Sequence, residues 1–263
     1  DSKYQRFYDE IVKKIKKEKI FTDKLHTLAY GTDASFYRLI PKIVIKTDNA
    51  KEVQDIIELS NSMNLSITFR AAGTSLSGQA ISDSILIVTS RNFSNFKIAP
   101  DASFISLQPA LTGAQVNGLL AKYSKKIGPD PASINAAMIG GIAANNASGM
   151  CCGISQNSYK TLKSMKLIFA DGAKLDTGCQ ESKDAFRKTH GDFLKELKNF
   201  SNDTKNNEEL RAKIERKFKI KNTCGYSLNA LIDFEDEFEI LEHLIIGSEG
   251  TLAFIEEITY YTV

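Results

Sequence analysis

Three stretches of this chain carry residue types that let a backbone close on a ligand. The first is Phe69–Ala80, FRAAGTSLSGQA. Glycine allows the main chain to approach a bound group and present N–H donors, and a run of such donors cradles anionic oxygens, above all phosphate. Thr74, Ser75 and Ser77 add hydroxyls, while Arg70 could balance charge or simply lie on the surface. On composition the stretch reads equally as the pyrophosphate cradle of a dinucleotide and as a surface turn. Gly73 and Gly78 are spaced as in a Walker loop, but Gln79 and Ala80 stand where that loop needs lysine and Ser/Thr, so phosphate transfer has neither its cation nor its magnesium ligand. The GxGxxG fingerprint of a Rossmann site is missing as well.

The second stretch, Gly128–Gly153, reads GPDPASINAAMIGGIAANNASGMCCG, with Asp130 its one charged side chain. As a helix it is weak at Gly140-Gly141, and as a strand it lacks alternation. Close backbone approach to a flat or extended ligand explains it, with tight helix packing through small residues as the alternative. The third, Gly247–Leu252 (GSEGTL), is by itself an ordinary turn with Glu249 as a cap, and gains weight from the other two. The four cysteines, Cys151, Cys152, Cys179 and Cys224, include no CxxC pair, and His26, His190 and His243 are too scattered for a metal site or a hydrolase, so reduced structural thiols and surface or satisfied core histidines are expected.

These loops need elements to hold them. Tyr4, Phe7, Tyr8, Ile11 and Ile15 predict an amino-terminal helix, with Lys13–Lys19 on its wet face. After the polar aromatic passage His26–Tyr37 and Pro41, Lys42–Lys46 reads as a buried strand. Asp48 is placed to cap a helix through Val53, Ile56, Ile57 and Leu59. Ser66–Arg70 and Ile85–Thr89 follow as strands, giving a small parallel βαβ unit with the first loop at the carboxyl end of its second strand, where such sheets bind ligands. The second half predicts a strand at Phe104–Gln108, a helix from near Thr112, and a hairpin around Asp171-Gly172 that implies antiparallel pairing. Helical sequence fills Lys183–Lys219, most loop-like at Asn202–Glu209, followed by a helix at Glu237–Ile246 and a strand from Thr251 to Val263.

With 263 residues, 34 basic and 32 acidic, the chain has enough apolar sequence for a sizeable core and no charge excess suited to nucleic acid. No apolar run approaches the roughly twenty residues of a membrane span, and no signal-peptide pattern opens the sequence. The expectation is a soluble, cytoplasmic protein, whose full-length form could lie peripheral to a membrane.

Taken together, the motifs resemble the FAD-binding domain of the vanillyl-alcohol-oxidase superfamily, the PCMH-type fold, and within it the D-lactate dehydrogenase and glycolate oxidase branch of FAD-linked oxidases. The residues that carry the resemblance are RAAGTSLSGQA (Arg70–Ala80), GPDPASINAAMIGG (Gly128–Gly141), ADG (Ala170–Gly172), KNTCGYSLNAL (Lys221–Leu231) and GSEGTL (Gly247–Leu252). The form of Tyr30–Leu39, YGTDASFYRL, and of the second stretch resembles the long bacterial members, in which an iron–sulfur portion follows the flavin portion.

The resemblance implies an α+β fold of two lobes, a small parallel βαβ lobe and a larger, mainly antiparallel sheet lobe with helices, with FAD between them. It divides the chain into a helical extension (residues 1–40), a first FAD-binding lobe (41–110) and a second (111–263), with the substrate-handling cap domain expected beyond Val263. The family's pyrophosphate loop maps onto Arg70, Ala72, Gly73, Thr74, Ser75, Leu76, Ser77, Gly78 and Gln79. Pro129, Asp130, Ala137, Met138, Gly140 and Gly141, continued by Asn145, Ala147 and Gly149, match the segment beside the ribityl chain and flavin, and Phe254 and Ile255 match the strand that reaches the adenine. Glu249 would be structural in its turn. The first loop has no histidine for covalent attachment, so dissociable FAD is expected. CGISQNS at Cys152–Ser158 lacks the Arg-Asp pair of the YGTTRDN form found in many glycolate-oxidase-like members, which puts a substrate role for that turn in doubt. The implied reaction is oxidation of a 2-hydroxy acid, in the D form, to the 2-oxo acid, with electrons passed to an iron–sulfur domain or another carrier. A nucleotide-binding module without its own turnover and a reductase of UDP-linked enolpyruvate are the alternatives. No catalytic base is assigned, and the chain alone is expected to bind FAD weakly or be inactive.

Overall fold

The computed structural model describes residues 2–263. Helix α1 (Ser2–Ile11) buries Phe7 and Ile11, one turn apart on the same face. The helix stops there, yet Ile15 beyond it is also buried. Lys13–Lys19 is therefore not a helical wet face: Lys19 Nζ reaches Glu52 Oε1 at 2.6 Å and pairs with Asp48 as well, in a site that solvent reaches little. Strand β1 (Ile20–Phe21) and helix α2 (Lys24–Ala29), capped by Asp23, come next.

The first sheet contains β1, β2 (Ile43–Thr47), β3 (Ile67–Arg70) and β4 (Ile85–Thr89) in the order β1-β2-β4-β3. The last three are mutually parallel and β1 is an antiparallel edge. Helix α3 (Ala50–Ser62) crosses from β2 to β3 and leaves a vacant place between them, which the fully buried β4 fills. The cap of α3 is Asn49, whose side chain accepts from Glu52 N–H, not Asp48. Asp48 is taken up by Lys19, Ser90 and Asn92, and these partners together hold its carboxyl below the usual range although burial alone would raise it.

The remaining strands, β5 (Phe96–Ile98), β6 (Phe104–Leu107), β7 (Leu162–Phe169), β8 (Lys174–Asp176) and β9 (Ala253–Tyr261), form an antiparallel sheet in the order β5-β6-β9-β7-β8. Strand β9 lies at its centre, paired with β6 on one side and β7 on the other. Between β6 and β7 run α4 (Gly113–Leu120), opened by a Thr112/Gln115 capping box, α5 (Ile139–Asn145) and the single turn α6 (Ser158–Thr161). Helix α7 (Gln180–Asn206) is interrupted only by non-helical geometry at His190. The expected loop Asn202–Glu209 contracts to Asn207, which caps α8 (Glu208–Phe218). Helices α9 (Ala230–Asp233) and α10 (Glu237–Ile245) complete the layer against this sheet.

One apolar cluster fills the space under the second sheet and another the space under the first. A third joins them: Val53 and Ile57 of α3 meet Phe93, Ala110, Ile168 of β7 and Phe254 of β9. Phe69, near the end of β3, packs on Phe254 with tilted rings whose centroids are 5.0 Å apart. This contact delivers the loop after β3 onto the central strand of the other sheet. Among the described residues no helix is long and apolar enough to cross a membrane.

Candidate functional site

A cavity of about 690 Å3 opens between the two sheets, within the range of small-molecule and cofactor sites. Its first wall is the loop following β3. Gly73 and Gly78 have φ of +71° and +79°, which side chains disfavour, and at Gly73 a Cβ would lie 2.5 Å from the Arg70 guanidinium. Ser75 turns inward: its Oγ accepts from the N–H groups of Ser77 and Gln79, and its hydroxyl bonds Gln79 Oε1. Among the described residues, the N–H groups of Ala72, Gly73, Thr74, Ser75, Leu76 and Gly78 meet no protein acceptor. A concave loop with this many free main-chain donors is what an anionic group requires.

Arg70 does not face outward as a free counter-charge. Its Nη1 donates to the Thr32 carbonyl at 2.7 Å and, more weakly, to the carbonyls of Tyr30 and Ala80 at 3.4 Å. Burial lowers its basicity, opposed by the charge of Asp33. The same amino-terminal segment grips the loop twice more, through Ala34 N–H on the Gly73 carbonyl at 3.1 Å and Ala80 N–H on Asp33 Oδ2 at 3.4 Å. Tyr30–Leu39 is thus a strap that fixes the cradle.

The second wall is α5. It is a helix despite Gly140-Gly141, and Gly140 permits a contact that a larger residue would block. A Cβ on Gly140 would stand 2.7 Å from Pro109, and one on Gly141 would be in van der Waals contact with Ala71 of the first loop. The third wall is the turn after α10. Gly247 and Glu249 donate their N–H groups to the carbonyls of Ala143 and Ala144, and Gly250 packs on Phe69. The carboxylate of Glu249 accepts from Asn145 Nδ2 and, at 3.5 Å, from Gln79 Nε2, so one side chain ties all three glycine-rich stretches together. Burial raises the pKa of this carboxyl, and the Asn145 bond only partly offsets that.

Of the residues expected from the sequence, Arg70, Ala72–Ser77, Gln79, Ala137, Met138, Gly140, Gly141, Asn145, Ala147, Phe254 and Ile255 line the cavity. Gly78, Pro129, Asp130 and Gly149 do not. Gly78 faces Tyr37 of the strap. Asp130 Oδ1 accepts from the N–H groups of Gly149 and Cys152, which outweigh burial and keep its carboxyl below the ordinary value. Gly149 lies so close to the Asp130 carbonyl that a Cβ would be 2.0 Å from it. Asp130 and Gly149 therefore brace the lining from behind. Pro109, Pro131–Ser133, Ser148, Lys221 and Thr223 also line the cavity and carried no individual signal; Lys221 and Thr223 open the KNTCGY run but sit on a loop far away in sequence.

This architecture defines a two-lobed α+β protein in which a loop of free main-chain donors faces a glycine-lined cleft, and the comparisons agree on the fold. The FAD binding domain family matches residues 41–178, and the chain belongs to that family, with FAD as its cofactor. Among curated proteins it is 26% identical to the D-2-hydroxyglutarate dehydrogenase of Haemophilus influenzae over 90% of this chain and 24% of that protein. It is 24% identical to the D-lactate dehydrogenase of Archaeoglobus fulgidus over 82% of this chain and 38% of that one, and 29% identical to glycolate oxidase subunit GlcD of Escherichia coli over 59% and 32%. The chain thus spans about a quarter to two fifths of the length of these relatives. Solved structures of alkyldihydroxyacetonephosphate synthase (TM-score 0.66, 17% identity, 99% of this chain and 40% of that) and p-cresol methylhydroxylase (0.65, 11%, 100% and 44%) share the fold. The expected PCMH-type architecture is the one observed.

Proposed function

We propose that this chain is the FAD-binding part of an oxidoreductase that oxidises a 2-hydroxy acid, of D configuration, to the 2-oxo acid. The observation that carries the reading is the row of unpartnered N–H groups at Ala72–Leu76, set in a cleft whose other walls are glycine-lined. Bound there, FAD would supply the capacity to accept a hydride. The chain's part is binding and orientation. The Ala72–Gly78 cradle would take the pyrophosphate, α5 with Ala137, Met138 and Ala147 would lie along the ribityl and ring portion, and Phe254 and Ile255 would close the adenine end. Asp130, Pro129 and Gly149 would hold that wall in shape. With no histidine in the cradle, the cofactor is non-covalent.

The substrate class follows the names of the relatives, dehydrogenases of D-2-hydroxyglutarate and D-lactate and a glycolate oxidase subunit. Because those proteins are much longer, the base that takes the alcohol proton is assigned to sequence outside this chain, as is the electron exit, an iron–sulfur domain, subunit or other carrier. The test uses the full-length protein reconstituted with FAD. Bleaching of its visible flavin bands by D-lactate, glycolate or D-2-hydroxyglutarate is the expected result. No flavin absorbance after reconstitution would overturn the reading, and a bound flavin that none of the three acids reduces would reassign the protein to a nucleotide-binding or different reductive role.

A further inference from the structure

Among the described residues three charged side chains line the cavity, Arg70, Glu249 and Lys221, and their surroundings differ. The Arg70 guanidinium is spent on the carbonyls of Tyr30, Thr32 and Ala80. Glu249 is an acceptor held by Asn145 and Gln79, and would repel an anion whenever it is ionised. Lys221, on the loop between α8 and α9, has one hydrogen bond, from Nζ to the Ser148 carbonyl. Among the described residues no carboxylate pairs with it, and an ammonium has three N–H donors, so two remain for a ligand. Thr223 lines the same wall, and Ser148 contributes its carbonyl as the tether of the ammonium.

We propose that Lys221, with the Thr223 hydroxyl beside it, forms an anion subsite that receives the carboxylate of the substrate; this rests on the reading of the protein as a hydroxy-acid oxidoreductase. The placement separates this subsite from the pyrophosphate cradle. Gly141, in α5, faces Ala71 at the root of the cradle, so that a Cβ there would meet it at 3.6 Å, whereas Ser148 lies seven residues further on, past the end of the helix. From Gly141 to the helix end at Asn145 the rise at 1.5 Å per helical residue is about 6 Å, and Ser148 lies beyond that end. A dinucleotide gripped by the cradle would thus leave the ammonium free for a second, separate anion. A 2-hydroxy acid brings such a group, and a carboxylate entering a half-enclosed cleft needs a counter-charge and donors to replace its water. The tether to Ser148 limits the ammonium's freedom, so less is lost when the anion binds.

The test uses the full-length protein loaded with FAD, with oxalate as the carboxylate probe and perturbation of the flavin spectrum as the readout. FAD content and the FAD dissociation constant are measured in parallel. Lys221→Gln should weaken oxalate binding roughly 10- to 100-fold, the loss expected for one charge-assisted hydrogen bond, and raise the KM for D-lactate more than it lowers kcat. FAD affinity should be unchanged, and Lys221→Arg should restore most of the oxalate affinity. Wild-type oxalate affinity in Lys221→Gln would overturn the proposal. So would loss of FAD along with oxalate, which would make Lys221 a ligand of the cofactor phosphates, and so would failure of the wild-type holoprotein to bind oxalate. If the wild-type protein takes up no FAD, the reading of the protein fails first and this subsite falls with it.

Discussion

Replacing Arg70 by methionine would keep an apolar stem of similar reach and delete the guanidinium that joins the strap to the cradle. The bond to the Thr32 carbonyl, at 2.7 Å, is short and charge-assisted, a class worth about 1.5–3 kcal/mol; the two 3.4 Å contacts add little. Arg70 is only partly buried, and solvent screening brings the figure to about 1–2 kcal/mol. If that energy holds the loop in the shape that aligns its free N–H groups, its loss lowers the population of the competent loop and raises the apparent dissociation constant for FAD by the same factor, roughly 5- to 30-fold. Titration of the apoprotein with FAD, followed by quenching of flavin fluorescence, measures this, with circular dichroism to verify the fold. Arg70→Lys should fall between, since one ammonium cannot replace a planar guanidinium among three carbonyls. An unchanged FAD affinity in Arg70→Met would refute the strap. A defect that vanishes at high salt would refute it too, because screening of that kind marks direct attraction between Arg70 and phosphate.

Other expectations concern the same scaffold. Gly73→Asp should abolish measurable FAD binding, since its side chain would collide with the guanidinium and place a carboxylate among the cradle donors. Gly78→Asp, which faces Tyr37, should act through left-handed backbone strain and cost about 1–2 kcal/mol of loop stability, read as a smaller fall in FAD affinity. Gly149→Ala, with a Cβ 2.0 Å from the Asp130 carbonyl, should lower the thermal midpoint and FAD content together. On α10, burial raises Glu242 to about 7 and lowers His243 to about 4. The folded state holds extra protons at Glu242 between its ordinary 4.5 and 7, so that group makes stability fall as pH rises; at His243 the unfolded state holds the extra proton between 4 and 6.5, so stability there rises with pH. The two nearly cancel from 4.5 to 6.5. Glu242→Gln should uncover the histidine's rise and stabilise the protein at pH 8 by up to about 3 kcal/mol, with little gain at pH 4. Equal shifts of the unfolding midpoint at both pH values would exclude this.

Much of the architecture was legible because it follows from local periodicity. The β-branched run at Ile85–Thr89 appears as β4 with the bounds read from it, and the Asp171-Gly172 signal marks the β7–β8 hairpin. Thr112 caps α4 where the pattern begins. Errors arose where a distant partner outbid a local preference. Asp48 is a good cap, but Lys19 and Ser90 take it and Asn49 caps instead. Lys13–Lys19 resembles a helix face, but the chain turns after Ile11 so that Ile15 and Lys19 can reach their burial sites.

The first loop shows the same division at the site itself. Its glycines, its hydroxyls and its lack of a Walker lysine were enough, without coordinates, to define a backbone that can hold phosphate and cannot transfer it. That the loop lines a cavity instead of lying on the surface depended on contacts no window of sequence contains: Phe69 packing on Phe254, the Arg70 hold on Thr32, and Glu249 bridging Gln79 and Asn145. The second stretch is starker, since propensity argues against a helix at Gly140-Gly141 and the fold makes one, with glycine at position 140 letting that helix press against Pro109. Composition determined that the backbone could come close to a ligand. Tertiary packing decided where the three loops would meet, because each is positioned by residues remote from it in the chain.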